Sequence, residues 1–579
     1  MDNLNIVILS GGSGNDSLVK GLKKYYKNSN IKVIVNAYDN GKSTGICRKV
    51  TNTLGVSDIR KNHIRMYKAI SDCIDARLVE FYEYRNDFSK ETVKDDIKNQ
   101  LINWDLSFLN IYVDHFFENK LANSVEYKDF SIANLVYSQM YKELGYETTN
   151  KYFCNLLELE DFVLLNSFDN VFIDAITQNS DILIGEESIV EYKNPNNKII
   201  NIKYSGDKKE LNQKAIDAIK QADLIIISTG TFWSSIYPTL DYLDFYEYIN
   251  ESSAKKIWAI NNTEDKDAYG VTSLDFITYL TKLGLNLNDF NILFNIDAID
   301  TLKLVPTQFT SNAYFYSMEN NNGKHNGLKY AKAILNIYYG LGNIEDYDYI
   351  LVDFDDTLWS RKSKIIKNNR TYYNDNISRE NIDLINSINK LTSVFIVSGN
   401  SYSSIKDKLK TIYGSSINNF EVGIWADSNS ILYRKDKKEE EIKSFKIFDN
   451  DIIEVSGYIN NLIRKKPINI SNYCLKIKPL NETERSLLLE TLNKILFKRK
   501  NLVYLKAIAA GTTTIDIVHK NNTKGNLFNE LNLPSKKCLY IGDEIDSGND
   551  RDIASLAYKS VKTSGVEETN ILLKLLLGE

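Results

Sequence analysis

The chain has 579 residues and a mass of 66.4 kDa, with 43% hydrophobic and 25% charged residues, which excludes disorder as its main state and predicts two to four domains at about 100–200 residues each. Its 71 basic and 76 acidic residues leave a net charge of −5, the opposite of the basic excess of a duplex-binding protein, so nucleic acid is not an expected partner. Met1–Ser10 carries no basic leader, no run of about 18 apolar residues predicts a membrane span, and the scattered Cys47, Cys73, Cys154, Cys474 and Cys538 form no Cys-x-x-Cys pair. Reduced thiols in a cytoplasm are expected, with neither a disulfide framework nor a zinc site.

The first element is a buried strand, Ile6–Leu9, which breaks into Ser10-Gly11-Gly12-Ser13-Gly14 and continues as a helix with Leu18, Val19 and Leu22 on one face. A second strand, Ile31–Val35, follows at once, so the chain opens with a βαβ unit of a parallel sheet. The glycine loop supplies free N–H groups and close backbone approach for a phosphate. Further polar loops follow at Asp39-Asn40-Gly41-Lys42-Ser43-Thr44-Gly45 and at Asp58-Ile59-Arg60-Lys61. Thr229-Gly230-Thr231 ends the strand-like run Asp223–Ser228. Four such loops at one sheet edge predict a nucleotide-sized cleft. Strands at Lys256–Ile260 and Phe290–Phe294 extend the domain to about residue 340.

A new start lies near residue 345. The strand Tyr349–Val352 runs into Asp353-Phe354-Asp355-Asp356-Thr357, the strand Ser393–Val397 into Ser398-Gly399-Asn400, and the strand Lys537–Ile541 into Gly542-Asp543. Lys524 opens a predicted helix within Asn521–Gly525. Carboxylates and a lysine at strand ends suit phosphoryl transfer, with a carboxylate nucleophile, a second carboxyl for proton transfer and cations on the transferring group. The junction is placed at Glu319–Asn326 and the helix after it.

These four C-terminal segments, in this order, resemble the haloacid dehalogenase (HAD) superfamily of phosphatases. The resemblance implies Asp353 as nucleophile, Asp355 as acid/base, and Ser398 and Lys524 as phosphoryl-holding groups. Asp353, the backbone carbonyl of Asp355, and Asp543 are the implied Mg²⁺ ligands, with Asp546 or Asp550 as a further acidic partner. The long insert resembles the α/β cap of sugar-phosphatase and phosphomannomutase-like members.

Residues 3–310 resemble the CofD/YvcK family, through the loops above and through Ala133-Asn134-Leu135, Gly185-Glu186-Glu187-Ser188-Ile189 and Ser235-Ile236-Tyr237-Pro238. Asn40 stands where that pattern has an acid, Lys42 and Ser57 where it has glycine, and Lys61 where it has asparagine; the added lysines suggest a more anionic ligand. The resemblance implies binding by Gly11, Gly12, Ser13, Gly14, Asp39, Asn40, Ser43, Asp58, Arg60, Asn134 and Gly230.

The expectation is therefore an α/β chain of two doubly wound, Rossmann-like domains. Residues 1–342 form the nucleotide-binding domain and residues 343–579 the phosphatase. The phosphatase core spans 345–402 and 520–579, with its cap at about 403–519. The expected function is bifunctional: transfer of a phosphorylated small molecule to or from a nucleotide-activated donor, and Mg²⁺-dependent hydrolysis of a phosphate monoester. The alternative is a UDP-sugar-binding domain that regulates the attached phosphatase. A nucleotide or nucleotide-sugar and a phosphorylated substrate are the expected partners, and a homo-oligomer stays open.

Overall fold

The computed structural model describes residues 4–12, 15–27, 29–206, 209–262, 265–298, 312–318, 325–360, 364–367, 370–373, 376–413, 420–426, 430–433, 440–441, 445–463, 467, 469–510, 514–530, 537–546 and 550–578. The chain folds into two compact units, residues 2–338 and 339–579. Ser13, Gly14 and most of the expected junction, 319–324, lie outside the described residues.

The apolar runs of the first unit become strands, buried on both faces except at the edge strand Ala313–Tyr316. They are β1 (Asn5–Leu9), β2 (Asn30–Val35), β3 (Val163–Leu165), β4 (Leu224–Ile227), β5 (Lys255–Ala259), β6 (Phe290–Asn295) and β7 (Ala313–Tyr316). They form one sheet in the order β7-β6-β5-β4-β1-β2-β3, with every neighbouring pair parallel. Helix α1 (Asp16–Tyr25) buries Leu18, Val19 and Leu22. Each fully buried side chain of that kind contributes roughly 1.5–3 kcal/mol.

The strand order places the binding edge. From β1 the chain winds one way through β2 and β3, then returns to the other side of β1 at β4. Connections that leave in opposite directions open a crevice at the carboxyl ends of the two strands. Leu9 lies opposite Ile227 in the parallel register, so the loop at Gly11 and the loop at Gly230 emerge side by side. Helices α2 (Lys42–Thr51), α3 (Ser57–Ile70), α4 (Ile132–Leu144) and α5 (Gly185–Glu191) begin near the same edge.

The second unit has its own sheet. Its strands are β8 (Tyr349–Asp353), β9 (Ser393–Val397), β10 (Gly423–Ala426), β11 (Ile431–Tyr433) and β12 (Glu440–Glu441), with helix α6 (Tyr402–Tyr413) between β9 and β10. After an inserted segment come β17 (Cys538–Gly542) and β18 (Lys559–Lys562), and the order is β12-β11-β10-β9-β8-β17-β18. The pairs from β10 to β18 are parallel, and β11 and β12 join antiparallel at one edge.

The inserted segment packs around a separate core. Helices α7 (Asp449–Ile463) and α8 (Glu482–Lys498) accompany the strands β13 (Asn469–Ile470), β14 (Leu475–Ile477), β15 (Leu505–Ala510) and β16 (Thr514–His519). These make an antiparallel sheet in the order β13-β14-β16-β15. Val455, Ile459, Leu488 and Leu492 of the helices share that core with Leu475, Ile515 and Ile517 of the strands. The expected start of this insert at residue 403 is corrected: α6 and β10–β12 belong to the main sheet, because Gly423–Trp425 extend it beside Phe395–Val397. The return from insert to core is short. The Lys520 N–H donates to Tyr504 O at 2.7 Å on the insert side, and Asn522 Nδ2 donates to Ser430 Oγ at 2.8 Å on the core side.

None of the five cysteines forms a disulfide. No helix among the described residues is long and apolar enough to cross a membrane.

Candidate functional site

In the second unit, Asp353 lies opposite Val397, and Val352 opposite Ile541. Asp353, Ser398 and Asp543 therefore leave three adjacent strands at one edge. Asp356 adopts a left-handed conformation (φ 57°), which turns the chain sharply just past the Asp353–Asp355 pair. Asp353 is buried, and Lys524 Nζ lies 2.5 Å from its Oδ1. The same ammonium bonds Asp550 Oδ1.

Asp353, Asp543 and Asp550 each bring a carboxylate oxygen within 4.8 Å of the others. Three carboxylates against one ammonium leave this pocket short of positive charge. Burial, opposed by Lys524 and reinforced by Asp550 and Asp543, holds the Asp353 carboxyl well above the ordinary range. Burial, then Asp550 and Glu544, pushes Asp543 up to about 6. Burial alone would lower the Lys524 ammonium, but Asp353 and Asp550 outweigh it and raise it. An all-oxygen donor set around a deficit of positive charge fits a hard divalent cation such as Mg²⁺.

Of the two acids left open by spacing, Asp550 joins this cluster, while Asp546 is exposed and pairs with Lys562 at 2.6 Å. Asp355 stands apart from the three. Its Oδ1 accepts from Lys408 Nζ at 2.7 Å and its Oδ2 from Asn400 Nδ2. The Asn400 N–H donates to Ser398 Oγ at 3.1 Å, so Ser398 and Asp355 are linked through Asn400. Lys408 escaped the sequence reading because a lysine within an amphipathic helix ordinarily faces water.

In the first unit the loops converge as well. A Cβ at Gly12 would meet the Asp58 carboxylate, and one at Gly11 would lie 2.6 Å from Ser235 Oγ, so a side chain at either position would have to displace Asp58 or Ser235. Asp39 closes its own loop by accepting from the Gly41 N–H at 2.9 Å and from Thr44 Oγ1 at 3.1 Å. Asn40 Oδ1 accepts from the Glu186 N–H at 2.9 Å. The Gly230 N–H donates to Asn261 Oδ1 at 3.1 Å.

Ser43, Arg60 and Asn134, expected as ligand contacts, are buried and bonded to one another. Asn134 Nδ2 donates to Ser43 Oγ at 3.3 Å, and Arg60 Nε donates to Asn134 Oδ1 at 2.7 Å. Burial lowers the Arg60 guanidinium to about 10. These three hold the Asp39–Gly45 loop from behind. Of the added lysines, Lys42 pairs with Asp129 at 3.1 Å and Lys61 with Asp58 at 3.4 Å. Tyr38 and Trp233 are fully buried in the apolar core.

Asp265 and Asp267, which the sequence reading did not single out, join the cleft together with Glu186 of the Gly185–Ile189 segment. Asp265 accepts from the Phe232 N–H at 2.9 Å, and Asp267 from the Ser234 N–H at 2.7 Å. Together they cap the π-helical turn Phe232–Ile236 that follows Thr231. Burial, then Asp39 and Asp58, pushes Glu186 up to about 9, with Lys61 opposing.

Two stability effects follow. Lys42 sits at φ 40°, where the family pattern has glycine, and a left-handed non-glycine residue costs about 1–2 kcal/mol. Its exposed pair with Asp129 returns about 0–1 kcal/mol. Lys42→Gly should therefore raise the urea midpoint slightly; a fall would mean that Lys42 supports more than Asp129. Glu186 binds its proton more tightly folded than unfolded, where its pKa is about 4.3. Its stabilising contribution is complete below that value and is lost as pH rises through about 9. Glu186→Gln should flatten this decline, as read by thermal unfolding at pH 5, 7 and 9.

The family profile described as 2-phospho-L-lactate transferase CofD matches residues 6–322. The gluconeogenesis factor of Listeria innocua is 28% identical over 258 residues, 44% of this chain and 66% of that one. That of Halalkalibacterium halodurans is 22% identical over 368 residues, 63% of this chain and 95% of that one. A crystal structure of a Bacillus halodurans protein is 20% identical with a TM-score of 0.45, covering 58% of this chain and 99% of its own. An N-terminally truncated Plasmodium falciparum IMP-nucleotidase is 18% identical with a TM-score of 0.32, covering 43% of this chain and 75% of its own.

Proposed function

The chain belongs to the CofD family, and on that premise we propose a bifunctional enzyme whose first unit handles a nucleotide-activated phosphorylated small molecule and whose second unit hydrolyses a phosphate monoester. The observation that carries the second activity is the ion cluster of the buried Asp353, Lys524 and Asp550 with the half-buried Asp543, gathered at the ends of the neighbouring strands β8 and β17.

In this reading Asp353 Oδ attacks phosphorus, and the P–O bond to the leaving alcohol breaks. Asp355, which enters the cycle protonated and released from Lys408, gives the leaving oxygen its proton and then takes one from the water that cleaves the aspartyl phosphate. Lys524 and Ser398 hold the phosphoryl oxygens. Asp353, the Asp355 carbonyl, Asp543 and Asp550 would hold Mg²⁺, which when bound supplies the missing positive charge on the transferring group.

In the first unit the glycine loop, Asp39, Asp58, Glu186 and Gly230 form the ligand cleft. Asn40 in place of an acid, together with the pairing of Lys42 and Lys61, favours a second reading of this unit as a nucleotide-sugar sensor that regulates the phosphatase.

Phosphorus NMR on the Asp353→Asn protein separates the two. The variant is mixed with Mg²⁺, nucleoside triphosphates, UDP-sugars and small phospho-acids. A new diester or diphosphate resonance supports transfer; broadening of one nucleotide resonance without turnover supports the sensor. Neither result would overturn both readings of the first unit.

A further inference from the structure

The first unit has a second concavity, at the edge of its sheet opposite the ligand cleft. Asn5 and Asn30, the first residues of β1 and β2, open onto a cavity of about 1250 Å³ together with the far end of α1 and the end of α3 at Ala69 and Ile70. Helix α1 has 10 residues and starts just after the glycine loop, so the cavity lies about 15 Å from that loop along the helix. Its volume exceeds the roughly 300–1,000 Å³ of ordinary small-molecule sites.

Lys20, Lys23, Lys24 and Lys27 line this cavity against two acids, Glu158 and Glu160. Lys23 has a structural task. Its Nζ donates to Ser29 O at 2.7 Å and to Lys27 O at 3.4 Å, which closes the turn after α1. Lys20, Lys24 and Lys27 have no ion-pair partner among the described residues. Lys24 stands in the last turn of α1, where a cation complements the helix end. Lys20 stands a turn earlier, four residues from Lys24 on the same helix face, where two like charges destabilise a helix.

His325 completes the wall. A Cβ at Gly21 would overlap Gly327 O, so the bare glycine lets the segment His325–Gly327 lie directly against α1. The His325 ring stacks on Tyr330 with centroids 4.6 Å apart, and burial lowers its imidazole to about 4. Both ring nitrogens are buried without a hydrogen-bond partner, an arrangement that costs stability and is uncommon outside functional sites.

We propose that this cavity is an anion site of the first unit, separate from the cleft, that binds a small molecule carrying two or more phosphate groups. Lys20, Lys24 and Lys27 hold the phosphate oxygens. His325, which offers one N–H when neutral and two when protonated, donates to them as well. The site requires neither of the activities proposed above.

The test uses the full chain carrying Asp353→Asn, labelled with carbon-13 at histidine Cε1, with a chelator present. It is titrated with methylenediphosphonate, a bisphosphonate that hydrolases do not cleave. The chain has four histidines, His63, His115, His325 and His519, and His325→Gln identifies the resonance that matters. That resonance should shift saturably toward its protonated position at millimolar ligand or below. In Lys20→Gln/Lys24→Gln the apparent Kd should rise about 10-fold or more; both lysines are exposed, so their exchange leaves the fold intact. A His325 resonance that stays in place overturns the inference, including when the ligand binds elsewhere on the chain. So does an equal shift in the lysine variant, or with sodium chloride at matched ionic strength.

Discussion

Asp353→Asn is expected to lose Mg²⁺-dependent phosphomonoester hydrolysis by at least about 10⁴-fold, the scale on which removal of a covalent nucleophile acts. The amide is close in shape to the carboxylate, and it removes a charge from a pocket that holds Asp543 and Asp550 around one ammonium. The thermal midpoint in the absence of metal should therefore hold or rise while activity disappears. Loss of activity with a falling midpoint would instead mark Asp353 as a structural partner of Lys524. Full retention of hydrolysis would place the nucleophile elsewhere.

Lys524→Met is expected to act mainly on stability, by about 3–5 kcal/mol, because it leaves buried carboxylates without their cation. Lys524 is 3% exposed, Asp550 1% and Asp353 6%, so water cannot replace the lost partner. Urea unfolding with a chelator present measures the effect. Adding Asp353→Asn to Lys524→Met should recover part of the loss, since residues in one charge cluster do not contribute additively. A loss below about 1 kcal/mol would mean that the ammonium is far better solvated than its burial indicates.

The strands were legible because runs such as Leu224–Ile227 have no polar face and must be buried in a covered sheet. The carboxylates of the second unit were legible for a related reason: Asp353 and Asp543 directly follow such runs, which fixes them at strand ends. Spacing could not choose between Asp546 and Asp550, because that choice depends on which one Lys524 reaches. In the first unit the loops were readable but not the direction of their side chains. Arg60 carries a charge that suggests a ligand, yet Asn134 and Tyr82, far away in sequence, draw it inward. Asp265 and Asp267 gained their positions from chain folding between distant segments, which no local pattern records. The insert boundary moved for the same reason, since only pairing with Phe395–Val397 shows that Gly423–Trp425 belong to the main sheet.

The short return between insert and core acts as a leash. Lys520 is fastened to Tyr504 and Asn522 to Ser430, and a few residues of chain extend no more than about 3.5 Å each. These two bonds tie the end of the insert to the core within a few residues of Lys524. The leash ends at Lys524, the cation that grips Asp353. In the proposed phosphatase reading, a substrate that displaced the insert would therefore load the same short segment that carries the cation paired with Asp353.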